Sequence, residues 1–182
     1  LKESGTVRLR DQAGAIYLEV NYENKPPWPI GANGTGHSLV LARPSYGEGY
    51  PAAWDLSDVK GGSPGRPDPV GAEPMRSVVI NEFRANSESE GEDYIELYNR
   101  GTKAVDLSGA WLSDSLETNK FRIPGGTILA AGGFVSFKET ELGFGLNAAG
   151  ERIVLQNAAR TRIIDAIQFD AQRPGIASGR VP

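Results

Sequence analysis

Apolar and polar positions alternate by twos along most of the chain, and clusters of Gly and Pro fall between the alternating runs, a pattern that predicts short β-strands. Val79, Asn81 and Phe83 form one series against Ile80 and Glu82. Ile95 and Leu97 form another against Tyr94, Glu96 and Tyr98, after which Asn99-Arg100-Gly101-Thr102 supplies a turn. Further runs cover 120–123, 133–138, 152–156 and 162–169. None leaves room for a helix of about ten residues before a breaker arrives. The one weak helical candidate, Thr140-Glu141-Leu142, meets Gly143 and Gly145 at once. Short strands separated by turn signals predict an antiparallel sandwich or barrel, because parallel strands need long crossovers that are usually helical. The expected fold class is all-β.

Two features organise the chain at a larger scale. Residues 61–75 are dense in Pro and Gly and carry no alternating apolar pattern, so they are expected to form a semi-rigid linker. An internal repeat spans the chain. Val7-Arg8-Leu9-Arg10-Asp11 aligns with Ile153-Val154-Leu155-Gln156-Asn157 at an offset of 146, and 16–23 aligns with 163–170 at an offset of 147. Leu9 matches Leu155, Val20 matches Ile167 and Tyr22 matches Phe169. A repeat whose period nearly fills the chain makes the N-terminal part the back end of one unit and the rest the front of the next.

Composition then removes whole chemistries. Among 182 residues there is no Cys and one His, which excludes thiol nucleophiles, disulfides and Cys-containing zinc sites. His37, in Gly34-Thr35-Gly36-His37-Ser38, reads as a solvent-facing loop residue, and no Gly-x-Ser-x-Gly elbow supports a hydrolase triad. The net charge of −4 and the lack of clustered Lys and Arg argue against a nucleic-acid footprint. No apolar run is long enough to span a membrane. The start Leu1-Lys2-Glu3-Ser4-Gly5 has no initiator Met and no signal-type apolar core, so the chain reads as an excised piece of something longer.

The residues after the linker carry a family likeness. Val78-Val79-Ile80-Asn81-Glu82-Phe83, Asp93-Tyr94-Ile95-Glu96-Leu97-Tyr98-Asn99 and Val105-Asp106-Leu107-Ser108-Gly109-Ala110-Trp111-Leu112-Ser113-Asp114 resemble, in succession, the lamin tail domain found in bacterial surface and secreted proteins. The likeness continues through Phe121-Arg122-Ile123-Pro124-Gly125-Gly126 and Leu142-Gly143-Phe144-Gly145-Leu146. The N-terminal piece resembles the closing section of the same domain. On this resemblance, 1–70 is the C-terminal portion of one lamin-tail-like repeat, ending in the linker at 61–75, and 76–182 is the N-terminal and central portion of the next. The resemblance implies an immunoglobulin-like β-sandwich. It also implies a non-catalytic structural or interaction module, one link in a tandem array within a secreted or cell-surface bacterial protein. A nuclear-lamin role does not fit, since no heptad-bearing rod precedes the domain in this chain.

Candidate residues follow from the same patterns. Ile95, Leu97, Leu155, Ile167 and Phe169 are expected in the core, with Trp111 as a large core anchor beside Val105 and Leu107. Glu88, Glu90, Glu92 and Asp93 are dense enough to hold calcium, although their spacing is not that of an EF-hand and such loops are usually solvated turns. Apart from calcium no cofactor is expected. Tyr46, Tyr50 and Trp54 lie on a Gly- and Pro-rich loop where aromatic rings can stack on sugars, or where Trp54 and Trp28 can fold back over the end of the sandwich. Glu92 and Asp93 are adjacent on a strand and point to opposite faces, so they cannot flank one bond as a catalytic pair. The expected partners are neighbouring repeats or identical chains through open sheet edges, or an extracellular glycan or protein.

Overall fold

The computed structural model describes residues 3–69, 73–87 and 91–180, and the chain divides into two compact units, Leu1–Val70 and Gly71–Pro182. Among the described residues helix is confined to single turns. In the first unit β1 (Ser4–Arg10) and β2 (Ile16–Glu23) form an antiparallel hairpin, and β3 (Leu39–Leu41) pairs with β4 (Trp54–Leu56). Val20, Trp28, Ile30, Ala53 and Leu56 are its buried apolar residues.

Among the described residues the second unit holds ten strands. In chain order they are β5 (Val78–Arg84), β6 (Tyr94–Asn99), β7 (Val105–Asp106), β8 (Trp111–Ser113) and β9 (Phe121–Arg122). There follow β10 (Ile128–Leu129), β11 (Phe134–Lys138), the one-turn helix α1 (Glu139–Leu142), β12 (Gly150–Gln156), β13 (Ile163–Asp170) and β14 (Ser178–Gly179). The order β11-β6-β5-β14 makes one four-stranded sheet and β13-β12-β8-β9 the other, with β7 and β10 as a separate pair. Every pairing is antiparallel. Ile95 and Leu97 from the first sheet and Leu112, Ile153 and Leu155 from the second are all 0 % exposed and share one core. The rings of Phe83 and Phe169, one from each sheet, meet at 4.3 Å. This is an all-β sandwich, with alternation in β6 so regular that inward residues are buried and outward ones half-buried throughout. Helix α1 stops where Gly143 takes φ +71, a conformation that costs a residue without Cβ little.

Register reveals what alternation cannot. A bulge between Ile80 and Glu82 shifts the phase of β5, so Ile80 and Phe83, an odd number of residues apart, both enter the core. The grouping of Val79 with Phe83 on one face is therefore corrected. Asn99, where the turn after β6 begins, is 0 % exposed, and its Nδ2 donates to the carbonyls of Lys103, Leu129 and Ala130 at 2.8, 3.2 and 3.1 Å. Its Oδ1 accepts from Ser77 Oγ and Gly101 N, so one amide ties three loops together.

The Pro-rich segment is folded for most of its length. Asp68 accepts from Asp58 N and Ser63 Oγ at 2.8 and 3.1 Å, and Gly61 N donates to Gly36 O, which draws 58–68 onto the first unit. On the other side Glu73 accepts from Asn157 Nδ2 at 2.8 Å and Met75 is buried in the sandwich core. The expectation of a spacer running through 61–75 is thereby narrowed; residues 70–72 lie outside the described residues.

The two segments aligned in the sequence both form antiparallel hairpins. In β1–β2 the pairs are Gly5 with Tyr22, Val7 with Val20 and Arg8 with Glu19; in β12–β13 they are Glu151 with Phe169, Ile153 with Ile167 and Val154 with Ala166. The offsets are again 146 and 147. Both hairpins carry a register shift at the same place, between Leu9 and Arg10 and between Leu155 and Gln156. Both turns are closed by an Asx residue: Asp11 Oδ1 accepts from Ala15 N, and Asn157 Oδ1 accepts from Thr161 N and Arg162 N.

Candidate interaction surfaces

On the outer face of β5, β6 and β11, the pleat lines up two polar rows. Glu82, Glu96 and Ser136 face one another across the three strands, and Arg84, Tyr94 and Lys138 form the next row. They bound a shallow cavity of about 450 Å³. Glu82 and Glu96 are directly opposed, an arrangement that repels unless each carboxylate finds a donor. Each does: Tyr94 Oη donates to Glu82 and Asn81 Nδ2 donates to Glu96 at 2.8 Å. Burial, reinforced by the Glu82 carboxylate, pushes the Tyr94 phenol up to about 12, so it stays protonated as a donor. Arg84 lies 5.3 Å from the Tyr94 ring centre and donates to Glu92 O through two nitrogens. A neutral phenol, carboxylates and two cations can bind polar groups; a phenol with so high a pKa is no base near neutrality. Alternation alone could not reveal these rows, since strand register brings them together.

Glu88 and Glu90 lie outside the described residues. Asp93 is buried and its two oxygens accept from Ser87 Oγ and Leu146 N, while Glu92 accepts from Thr140 Oγ1 at 3.1 Å. Asp93 thus anchors loops to β6. Among the described residues no group of three or more acidic or imidazole side chains converges as a metal site.

The aromatic loop divides too. Trp54 turns inward, its ring 6.0 Å from that of buried Trp28 and its Nε1 donating to Glu48 O at 2.9 Å. Tyr46 and Tyr50 stay out, 56 % and 68 % exposed. His37 is buried, contrary to its reading as a solvent-facing residue, with Nδ1 2.9 Å from Ser57 O. Trp111 requires a correction as well. It is half-buried on the outside of its sheet, its ring centre 5.8 Å from the guanidinium carbons of both Arg122 and Arg160, because Leu112 takes the inward position of β8. Ile95, Leu97 and Leu155 are in the core, and Ile167 and Phe169 pack against it half-buried.

A residue unnoticed in the sequence secures the edge of the first sheet. Asp165, on β13, accepts from Ile80 N at 2.8 Å and from Arg180 Nη2 at 2.8 and 3.1 Å, while Arg180 Nε donates to Ile80 O at 2.9 Å. Side chains thus complete the backbone pairing of β5 where β14 ends, and join the two sheets. Burial pushes the Asp165 carboxyl above its usual range, a shift that Arg180 and the Ile80 N–H oppose. The signal was an Asp where the repeat has Leu18.

Comparison with known proteins agrees with the architecture. The family model described as Lamin Tail Domain matches residues 72–170, which run from just before β5 to the end of β13. No curated protein and no solved structure matches significantly.

Proposed function

The chain belongs to the lamin tail domain family, a family of non-enzymatic immunoglobulin-like domains, and on that premise we propose that it is a structural and interaction module, one link in a tandem array within a secreted or cell-surface bacterial protein. The observation that carries the array is the pair of hairpins with the same register, the same bulge and the same Asx-closed turn, one in each unit. Two separate origins for so many coincident details are a poorer account than repetition of one unit. The family supports a role in contact and scaffolding, and the outer groove at Glu82, Tyr94 and Glu96 supplies polar contact groups. The test is location: antibodies raised against the chain should label intact source cells or the culture fluid. Labelling that requires permeabilised cells would refute an extracellular array.

A second reading rests on Tyr46 and Tyr50, whose exposed rings on the first unit suit stacking on a carbohydrate. A glycan array probed with the parent and with Tyr46→Ala/Tyr50→Ala should then show ligands lost in the variant. Absence of binding by both would leave the scaffold reading alone.

A further inference from the structure

The outer face of β5, β6 and β11 carries a third row beside the two polar ones. Val79, Tyr98 and Phe134 are register partners across the three strands, two residues along from Glu96 and Ser136. Residues two apart on a strand project from the same side about 7 Å apart, so an aromatic, an acidic and a basic row follow one another over about 14 Å. The Tyr98 and Phe134 rings stack at 4.5 Å and 19° from parallel, and Phe134 is 56 % exposed. Beside the groove of about 450 Å³ there is thus an apolar platform, within reach of a ligand that also touches the polar rows.

The polar groups are held in place by the fold itself. Tyr94 Oη donates to Glu82, Asn81 Nδ2 donates to Glu96 at 2.8 Å, and Arg84 Nη2 donates to Glu92 O at 2.6 Å. Groups fixed in advance lose less freedom when a ligand binds. Among the described residues Glu82 and Glu96 each take one side-chain donor, whereas an ionised carboxylate offers about four acceptor sites. The two polar rows hold two carboxylates, Glu82 and Glu96, and two cations, Arg84 and Lys138, so they present no net charge. Glu92, which also lines the groove, turns its carboxylate to Thr140 Oγ1 at 3.1 Å.

Such a set discriminates among ligand chemistries. A polyanion meets the carboxylates and a polycation meets Arg84 and Lys138, so either finds repulsion beside its attraction. A hydroxyl donates and accepts at once. Hydroxyls lying between the rows can donate to the carboxylates and accept from the guanidinium and ammonium, and hydrogen bonds in such chains strengthen one another. We propose that the outer face of β5, β6 and β11 is a binding site for an uncharged oligosaccharide, with one sugar ring against Phe134 and the hydroxyls of the next between the Glu82–Glu96 row and the Arg84–Lys138 row. This rests on the reading of the chain as an interaction module and adds the ligand class and its site, on a different unit from Tyr46 and Tyr50.

The isotopically labelled full chain is titrated with cellohexaose, mannohexaose, xylohexaose and N-acetylchitohexaose as uncharged probes, and with heparin and chitosan oligomers as charged ones, while backbone amide shifts are followed. At least one uncharged probe is expected to give saturable shifts within 94–98 and 134–138. No saturable shift with any uncharged probe overturns the proposal, as do shifts with the charged oligomers alone or shifts confined to 39–56. Glu96→Gln and Phe134→Ala change outward positions and leave the core intact, and each should weaken binding about tenfold. Parent affinity in both variants overturns the site. None of these results bears on cell-surface labelling, so the module reading and the saccharide site fail separately.

Discussion

Replacing Asp165 by Ala removes the acceptor of the Ile80 N–H and the partner of Arg180 in one step. Ile80 is 1 % exposed, so its N–H has no route to solvent without local opening. An orphaned buried donor costs about 1–3 kcal/mol. The Arg180 side chain is 46 % exposed and regains water, so loss of the ion pair adds at most about 1 kcal/mol. The sum is about 1–4 kcal/mol, which corresponds to about 5- to 900-fold faster exchange of the Ile95 and Leu97 amides if they open with the sandwich. Asp165→Asn keeps a carbonyl oxygen for Ile80 and loses only the charge, so it should fall well short of the Ala variant. The assay is native-state amide exchange at neutral pH on the full chain. An Ala variant within about 0.5 kcal/mol of the parent, the range of indifferent surface changes, would refute the role of Asp165 in tying β13 to β5. The acid side gives a second check. A carboxyl whose folded pKa lies above its unfolded value binds its proton more tightly in the fold, so its contribution declines as pH rises from the ordinary Asp value near about 3.9 through the raised one. The stability of the parent relative to Asp165→Asn should therefore be greatest below that window and shrink above it.

Three further outcomes follow from the packing. Leu112→Ala should cost about 2–5 kcal/mol and Trp111→Ala clearly less, by calorimetry, since the first is fully buried and the second lies under two arginines; equal costs would return Trp111 to the core. Asn99→Asp sets a carboxylate against the carbonyls of Lys103, Leu129 and Ala130 and should destabilise by about 3 kcal/mol or more, with a melting point unchanged within error counting against the amide hub. Ultraviolet titration should find one phenol ionising near 12 that disappears in Tyr94→Phe, and the stabilising contribution of Tyr94, present below its unfolded value near about 10, should be lost as pH rises towards 12. Ionisation of all six tyrosines in a single step near 10 would refute the Tyr94 environment.

The core of β6 was legible because alternation over Tyr94–Asn99 has a period of two and nothing interrupts it. In β5 the same reasoning erred by one residue, because a bulge is a property of two paired strands and leaves only a faint trace in either sequence. Trp111 misled for a related reason: in a three-residue strand, size says less about direction than phase does, and the phase of β8 is set by its pairing with β12.

The chain alone determined the class and the turns, local properties that short-range sterics and periodic burial write directly into sequence. It could also exclude thiol chemistry by count. Tertiary structure decided which faces meet. It opposed Glu82 to Glu96, set Asp165 against the Ile80 amide, buried Asn99 among carbonyls distant in sequence, turned Trp54 inward while leaving Tyr46 and Tyr50 outside, and left one of two matching hairpins with its apolar face half uncovered. Those outcomes depend on register and on what lies opposite, and a strand carries its own alternation but not the identity of its neighbour.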